Sequence, residues 1–191
     1  MTMTIQPNSV VSDITLGFLE GTGWYTVNYS QAEPLAWGKS RGCTFLSSYC
    51  INSATKLPIS SEFCQQLNTQ GCTADYTTKA LCAVKVGAPA YTAWNYFNNN
   101  TVSVDPYADN CPYFIPYSQG DCRNPSHDTH EVLFEEKYGS KSKCFVGTLT
   151  KNQYSLYYNP NYQRGGCFEY QVITQFLLLT SSVNLCLLDI S

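Results

Sequence analysis

Charge is scarce in this sequence. Lys and Arg number 11 and Asp and Glu 14 among 191 residues, so charged side chains are 13% of the chain and the formal net charge is -3. That fraction is about half the usual quarter. With so few cations there is no basic stripe to follow a phosphate backbone, which argues against nucleic acid as a partner. Histidine is rarer still, with two copies, so sites built on imidazole have little to draw on. No uninterrupted apolar run reaches the length of a membrane-spanning helix. Hydrophobic residues make up 43% and mean hydropathy is -0.22, which describes a folded chain and neither a disordered tail nor a polytopic membrane protein. Neither a G-x-S-x-G elbow nor a Gly-rich phosphate loop occurs.

What is present in excess is tyrosine, with 15 copies, and cysteine, with 10. Cys43, Cys50, Cys64, Cys72, Cys82, Cys111, Cys122, Cys144, Cys167 and Cys186 are scattered and never form C-x-x-C, which excludes zinc ribbons and thioredoxin-type motifs. An even count without metal-type clustering reads as disulfides formed in an oxidising compartment, with connectivity left open. The sequons Asn28-Tyr29-Ser30 and Asn99-Asn100-Thr101 fit the same compartment and make Asn28 and Asn99 glycosylation candidates. Secretion requires a leader, yet Met1 to Asn8 has neither a basic nor an apolar region. The expectation is therefore an extracellular or cell-surface protein whose signal peptide lies upstream of residue 1, this chain being the downstream piece of a longer precursor.

Along the chain, Val11, Ile14 and Phe18 fall at helical spacing, predicting a helix from about Ser9 to Glu20 that stops at Gly21-Thr22-Gly23. Alternation over Tyr25, Val27 and Tyr29 suggests a short strand. From Cys43 onward the pattern is loop-rich, with a short helix expected near Ser61 to Leu67 and strands at Lys79 to Val86 and Lys143 to Leu149. The run from Val172 to Ile190 is apolar in two patches but too polar for a membrane span. A buried strand, a removed lipid-anchor tail and sequence foreign to the fold all remain open. The fold class expected is α+β with much irregular structure.

Catalytic candidates are few. His127-Asp128-Thr129-His130-Glu131 looks like a scrambled zinc motif, but H-E-x-x-H works by placing two imidazoles four residues apart on one helical face. Here they are three apart, follow the turn signal Asn124-Pro125-Ser126, and read as a solvent-exposed loop. Glu135-Glu136-Lys137 reads as a solvated charge run. No residue is assigned to catalysis or to metal.

Several ordered strings carry more. Thr15-Leu16-Gly17-Phe18-Leu19-Glu20-Gly21-Thr22-Gly23-Trp24-Tyr25 leads through Asn28-Tyr29-Ser30, Ala32-Glu33-Pro34 and Trp37-Gly38 to Gly42-Cys43-Thr44-Phe45. Further on come Asp109-Asn110-Cys111-Pro112-Tyr113, Pro116-Tyr117, Asp121-Cys122, Ser142-Lys143-Cys144-Phe145 and Gly166-Cys167-Phe168-Glu169-Tyr170. Over residues 1 to about 171 this set resembles the second half of leishmanolysin-type (invadolysin-like) zinc metalloendopeptidases. The resemblance implies residues 1–50 as the last helix and exit of a metzincin-like catalytic domain and 51–191 as a disulfide-rich C-terminal domain. It also implies zinc in the full-length enzyme, peptide or protein substrates, attachment at a surface or membrane, and a link to cell adhesion. Met3 is the candidate for the Met-turn methionine beneath the zinc, with Met1 competing. The family's H-E-x-x-H and third histidine are missing, so this chain alone is expected to bind no zinc and to cleave nothing. The family also tends to place a cysteine soon after the string matching Cys167 to Tyr170, where this chain runs Gln171-Val172-Ile173, which suggests that 172–191 is a non-family tail. A second reading is a non-catalytic extracellular binding or adhesion module that uses aromatic residues around Tyr91 to Phe97, including Trp94.

Overall fold

The computed structural model describes residues 9–65, 67, 69–88, 96–97, 101–105, 108–128, 136–147, 164–173, 176–180 and 185–189, with the backbone alone from 172 onward. Met1, Met3, Trp94, Asn99, His130, Glu131 and Glu135 lie outside them.

The chain opens with helix α1, Asp13–Gly21. Ser12 caps it, its hydroxyl accepting from the Thr15 N–H at 3.4 Å, and Asp13 puts a carboxylate in the first turn, where the helix dipole favours it. At the far end the Thr22 hydroxyl donates to the Leu19 carbonyl at 2.7 Å, and Gly23, at φ +73°, takes the left-handed turn. The expected helix is therefore present, starting at its cap rather than at Ser9. Its apolar side is not covered: α1 has no buried residue, and Val11, Ile14 and Phe18 are 49%, 70% and 58% exposed.

The strand expected over Tyr25 to Tyr29 is absent. Asn28 instead folds its carboxamide over the next residues and opens a 3-10 turn, Tyr29–Gln31. Tyr29 then reaches back to α1, its hydroxyl donating to Glu20 Oε2 at 2.8 Å. After a loop comes a single helical turn, α2, Thr44–Ser47. Trp37 stands edge-on to Phe45, Phe63 and Tyr113 at centroid distances of 5.5 to 6.3 Å, joining this exit segment to the strands that follow.

Among the described residues, nine short strands build three antiparallel sheets. β1 (Gln70–Cys72), β2 (Thr78–Cys82) and β5 (Phe114–Asp121) form one, in the order β1-β2-β5. β3 (Val84–Val86) and β4 (Thr101–Ser103) form a ribbon. β6 (Ser142–Gly147), β7 (Arg164–Ile173), β8 (Phe176–Thr180) and β9 (Leu185–Asp189) form a meander in sequence order. The strand expected over Lys79 to Val86 is thus two strands broken at Ala83, and the one at Lys143 to Leu149 is β6. The helix expected near Ser61 to Leu67 is replaced by a turn, because Phe63 bridges Tyr113 and Cys64 is bonded to Cys82. This is an α+β chain with little helix, as expected.

Four disulfides hold these small layers together: Cys50–Cys111, Cys64–Cys82, Cys72–Cys144 and Cys122–Cys167. The first two sit in a core with Ile51, Val84, Tyr96 and Phe97, and the other two pack with Tyr138. Cys50 therefore belongs to the core of the second region. The sheets approach closely where β7 crosses β1, and a β-carbon on Gly165 would collide with the Gly71 carbonyl. Cys43 is a correction to the expectation that all ten cysteines pair. It stands at the start of α2 as an exposed free thiol, while the eight partnered cysteines are drawn into the two cores. The side chain of Cys186 lies outside the description.

Candidate functional site

A cleft of about 1000 Å3 lies between the segment Glu33 to Arg41, strand β1 with the turn that follows it, and strand β6. Its charged lining includes Glu33, Lys39, Arg41, Glu62, Asp75, Arg123 and Lys143, with Tyr76 and Phe145 among them. Asp75 organises the β1–β2 turn: it accepts from the Thr77 N–H at 3.1 Å and the Thr77 hydroxyl at 2.8 Å, and Thr73 donates to it at 2.5 Å. Tyr76, held at φ +57°, turns its carbonyl to the Cys144 N–H at 2.7 Å, so the hairpin tip is fastened to β6.

Arg41, Glu62, Arg123 and Lys143 are each tied down locally. Arg41 Nε donates to Glu62 Oε1 at 3.0 Å and its Nη2 to the Ser61 hydroxyl at 2.6 Å. Arg123 grips both oxygens of Asp121 at 3.0 Å, and Lys143 donates to the Asp75 carbonyl at 3.3 Å. Burial pushes the Glu62 carboxyl up, but the Arg41 hydrogen bond and charge, with other local hydrogen bonds, hold it below the ordinary glutamate value. Asp121 behaves likewise: burial raises it, and the Arg123 hydrogen bonds and charge lower it by more. Both carboxylates therefore take up protons more readily unfolded than folded. Their contribution is full above the unfolded pKa values of about 4 and is lost as pH falls through the lower folded values. We expect the urea midpoint to drop below about pH 4, and Glu62→Gln to shrink that drop. An unchanged acid limb in Glu62→Gln would remove Glu62 from the account.

None of these groups forms a nucleophile with a base, or two carboxylates free to exchange a proton. The catalytic candidates read from sequence do not assemble here either. His127 ends a 3-10 turn, Pro125–His127, rather than lying in an exposed loop. It is half-buried, with Nε2 3.1 Å from Asn124 Nδ2 and Nδ1 enclosed. Glu136 is also a correction, since it is not solvated. Its side chain is 4% exposed, with Oε2 2.8 Å from Lys79 Nζ and 3.3 Å from the Tyr138 hydroxyl, and Oε1 3.8 Å from Arg164. This ionic knot was invisible in the sequence because Lys79 lies 57 residues away. Tyr96 and Phe97, expected in an aromatic recognition surface, are instead buried in the first core. Among the described residues the most exposed aromatics are Trp24 at 85% and Tyr49 at 76%.

The geometry thus shows a disulfide-braced scaffold, a charged cleft and an exposed helix, without a reacting centre among the described residues. Comparison with known proteins supplies the family. The leishmanolysin peptidase family model matches residues 1–185. The chain belongs to the leishmanolysin family. Leishmanolysin of Leishmania major is 29% identical over 142 residues, covering 71% of this chain and 23% of that protein. Leishmanolysin-like peptidases of Caenorhabditis briggsae and Drosophila melanogaster are 29% and 30% identical, covering 96% and 89% of this chain and 33% and 30% of their own lengths. The chain therefore spans about a fifth to a third of the length of the curated relatives it matches. Both the strand pairing from β7 through β9 and the family match run past residue 171 into the segment expected to be foreign.

Leishmanolysins are metallopeptidases, and the described residues of this chain do not offer the ligand set of a catalytic zinc. Such a site uses three protein ligands and keeps a fourth position open. The sequence has no H-E-x-x-H, and His127 has its ring nitrogens held by Asn124 and by burial. Among the described residues no three His, Cys, Asp or Glu side chains converge on one point.

Proposed function

We propose that this chain is the downstream part of a leishmanolysin-like zinc endopeptidase, supplying the last helix of the catalytic domain and the disulfide-rich domain behind it. The observation that carries this reading is α1: a capped, amphipathic helix with Ile14, Phe18 and the following Trp24 in solvent, inside a family whose members are three to four times longer. Helices of that kind are stable in proteins because their apolar face packs on something. In a zinc peptidase the metal polarises the peptide carbonyl and activates water, with a glutamate as base. The groups for that chemistry belong to the upstream part, and the role of this chain is to close and brace the domain that holds them. The compartment is extracellular or at the cell surface, in keeping with four disulfides, and the substrates are peptides or proteins. A role in adhesion would use exposed aromatics away from α1, such as Tyr49.

Two measurements test it. The purified 191-residue chain is expected to bind no stoichiometric zinc and to cleave no peptide; metal-dependent proteolysis by it would overturn the reading. The uncovered helix should also make the isolated chain self-associate. The pair Ile14→Lys and Phe18→Lys, which keeps helix propensity, is expected to abolish association in sedimentation runs while shifting the unfolding free energy by less than about 0.5 kcal/mol. A large loss of stability would mean that this face is already packed.

A further inference from the structure

We propose that Asn28 is an N-glycan acceptor, whose carbohydrate stands on the solvent side of the turn that follows α1. The sequon alone is a weak signal, since such triplets arise by chance. The structure adds three observations. Asn28 is exposed, as are Tyr29 and Ser30, so a bulky branched substituent meets no packed neighbour. The Asn28 carboxamide is polarised and fixed: Oδ1 accepts from the Ser30 N–H at 3.0 Å and from the Ser30 hydroxyl at 2.8 Å. All the hydrogen bonds of this side chain fall on Oδ1, so Nδ2, the atom that would carry the sugar, has no partner among the described residues.

A second place in the chain shows what a non-acceptor looks like. Asn124-Pro125-Ser126 has the same local turn, with Oδ1 of Asn124 accepting from the Ser126 N–H at 3.1 Å and the Ser126 hydroxyl at 2.6 Å. There proline at the middle position excludes the sequon, the asparagine is half-buried, and its Nδ2 is spent on His127. The two turns share a bonding pattern, and of the two Asn28 alone combines the sequon with exposure. Occupation of Asn28 also leaves the fold intact, because the rest of the turn is held from the other side by Tyr29 on Glu20 and by the Ala32 N–H on the Tyr29 carbonyl at 3.0 Å.

The reaction is a substitution at an anomeric carbon. Nδ2 of Asn28 forms the C–N bond to an oligosaccharide carried on a polyprenyl diphosphate, and the C–O bond to the diphosphate breaks with its electron pair leaving on the diphosphate. One amide proton passes to a base of the membrane transferase. The donor and the transferase are those of the secretory pathway, so the inference rests on the compartment proposed above, and the test supplies that compartment independently.

The chain is produced behind a secretory leader in a eukaryotic host, and the four disulfides are mapped to show that it passed through the oxidising compartment. Peptide N-glycosidase, which converts an occupied asparagine to aspartate, is then applied and the 24–33 peptide read by mass spectrometry. Conversion at Asn28, lost in Ser30→Ala and kept in Ser30→Thr, is the expected result. An unconverted Asn28 in a chain with its disulfides formed would overturn the inference while leaving the compartment reading untouched. Conversion that persists in Ser30→Ala would overturn it as well, since it would report deamidation rather than a glycan.

Discussion

Replacing Glu136 with alanine should cost this fold about 3 to 5 kcal/mol, the range for removing one partner of a buried ion pair. Glu136 is 4% exposed and Lys79 15%, so the Lys79 ammonium, left behind by Glu136→Ala, would keep its burial and lose the carboxylate 2.8 Å away. The Tyr138 hydroxyl and the Cys167 N–H, 3.3 and 3.4 Å from the same carboxylate, would lose an acceptor too. The cost comes from the orphaned charge more than from the attraction itself, because the desolvation of both ions offsets much of the Coulomb gain. The double variant Glu136→Leu with Lys79→Met is therefore expected to recover most of the loss in urea unfolding. If it is no more stable than Glu136→Ala, the knot contributes through packing and the electrostatic account is wrong.

The second large effect is covalent. Cys72–Cys144 closes a loop across 72 residues of sequence and ties β1 to β6, whereas Cys64–Cys82 closes only 18. Loop-closure entropy assigns about 4 kcal/mol to the longer and about 3 to the shorter. Cys72→Ser with Cys144→Ser should therefore lower the unfolding free energy by about 1 kcal/mol more than Cys64→Ser with Cys82→Ser. The sheets here are short and the helix content small, so a loss of 4 kcal/mol is a large part of the stability a domain of this size has. An equal or reversed order for the two double variants would show that native packing around each bridge, rather than loop length, sets its worth.

These two interactions mark the boundary of what the sequence discloses. Helix α1 was readable because its apolar period and glycine stop are local, although the Ser12 cap that sets its start was missed. The disulfide character was readable from count and spacing. Long-range partners were not readable. Tyr25 to Tyr29 alternates like a strand, yet Asn28 turns the chain by bonding Ser30, and no neighbouring strand offers a ladder. Ser61 to Leu67 has helical spacing, but the Cys64–Cys82 bond and the Phe63–Tyr113 bridge override so weak a preference. Glu136 sits in a string that looks like ordinary surface charge, and only the fold brings Lys79 and Arg164 to it. The aromatic stretch ending at Phe97 admitted either a recognition surface or a core, and its last two rings, Tyr96 and Phe97, fill a core.

The family assignment also changes how the exposed surface is understood. In an independent module, an uncovered α1 and an exposed Trp24 would be a recognition face. Under the function proposed above, the same residues would be the inner side of a larger domain. The central claim is thus about the polypeptide to which these residues belong. The decisive measurement is to isolate the natural protein with an antibody raised against the disulfide-rich region and to map its peptides by mass spectrometry. The account predicts a single polypeptide of roughly three times this length, judged by its relatives, with an H-E-x-x-H peptide upstream of α1 and zinc-dependent peptidase activity in the isolate. Recovery of a polypeptide beginning at Met1, without upstream peptides, would contradict it and leave a stand-alone binding module as the function to pursue.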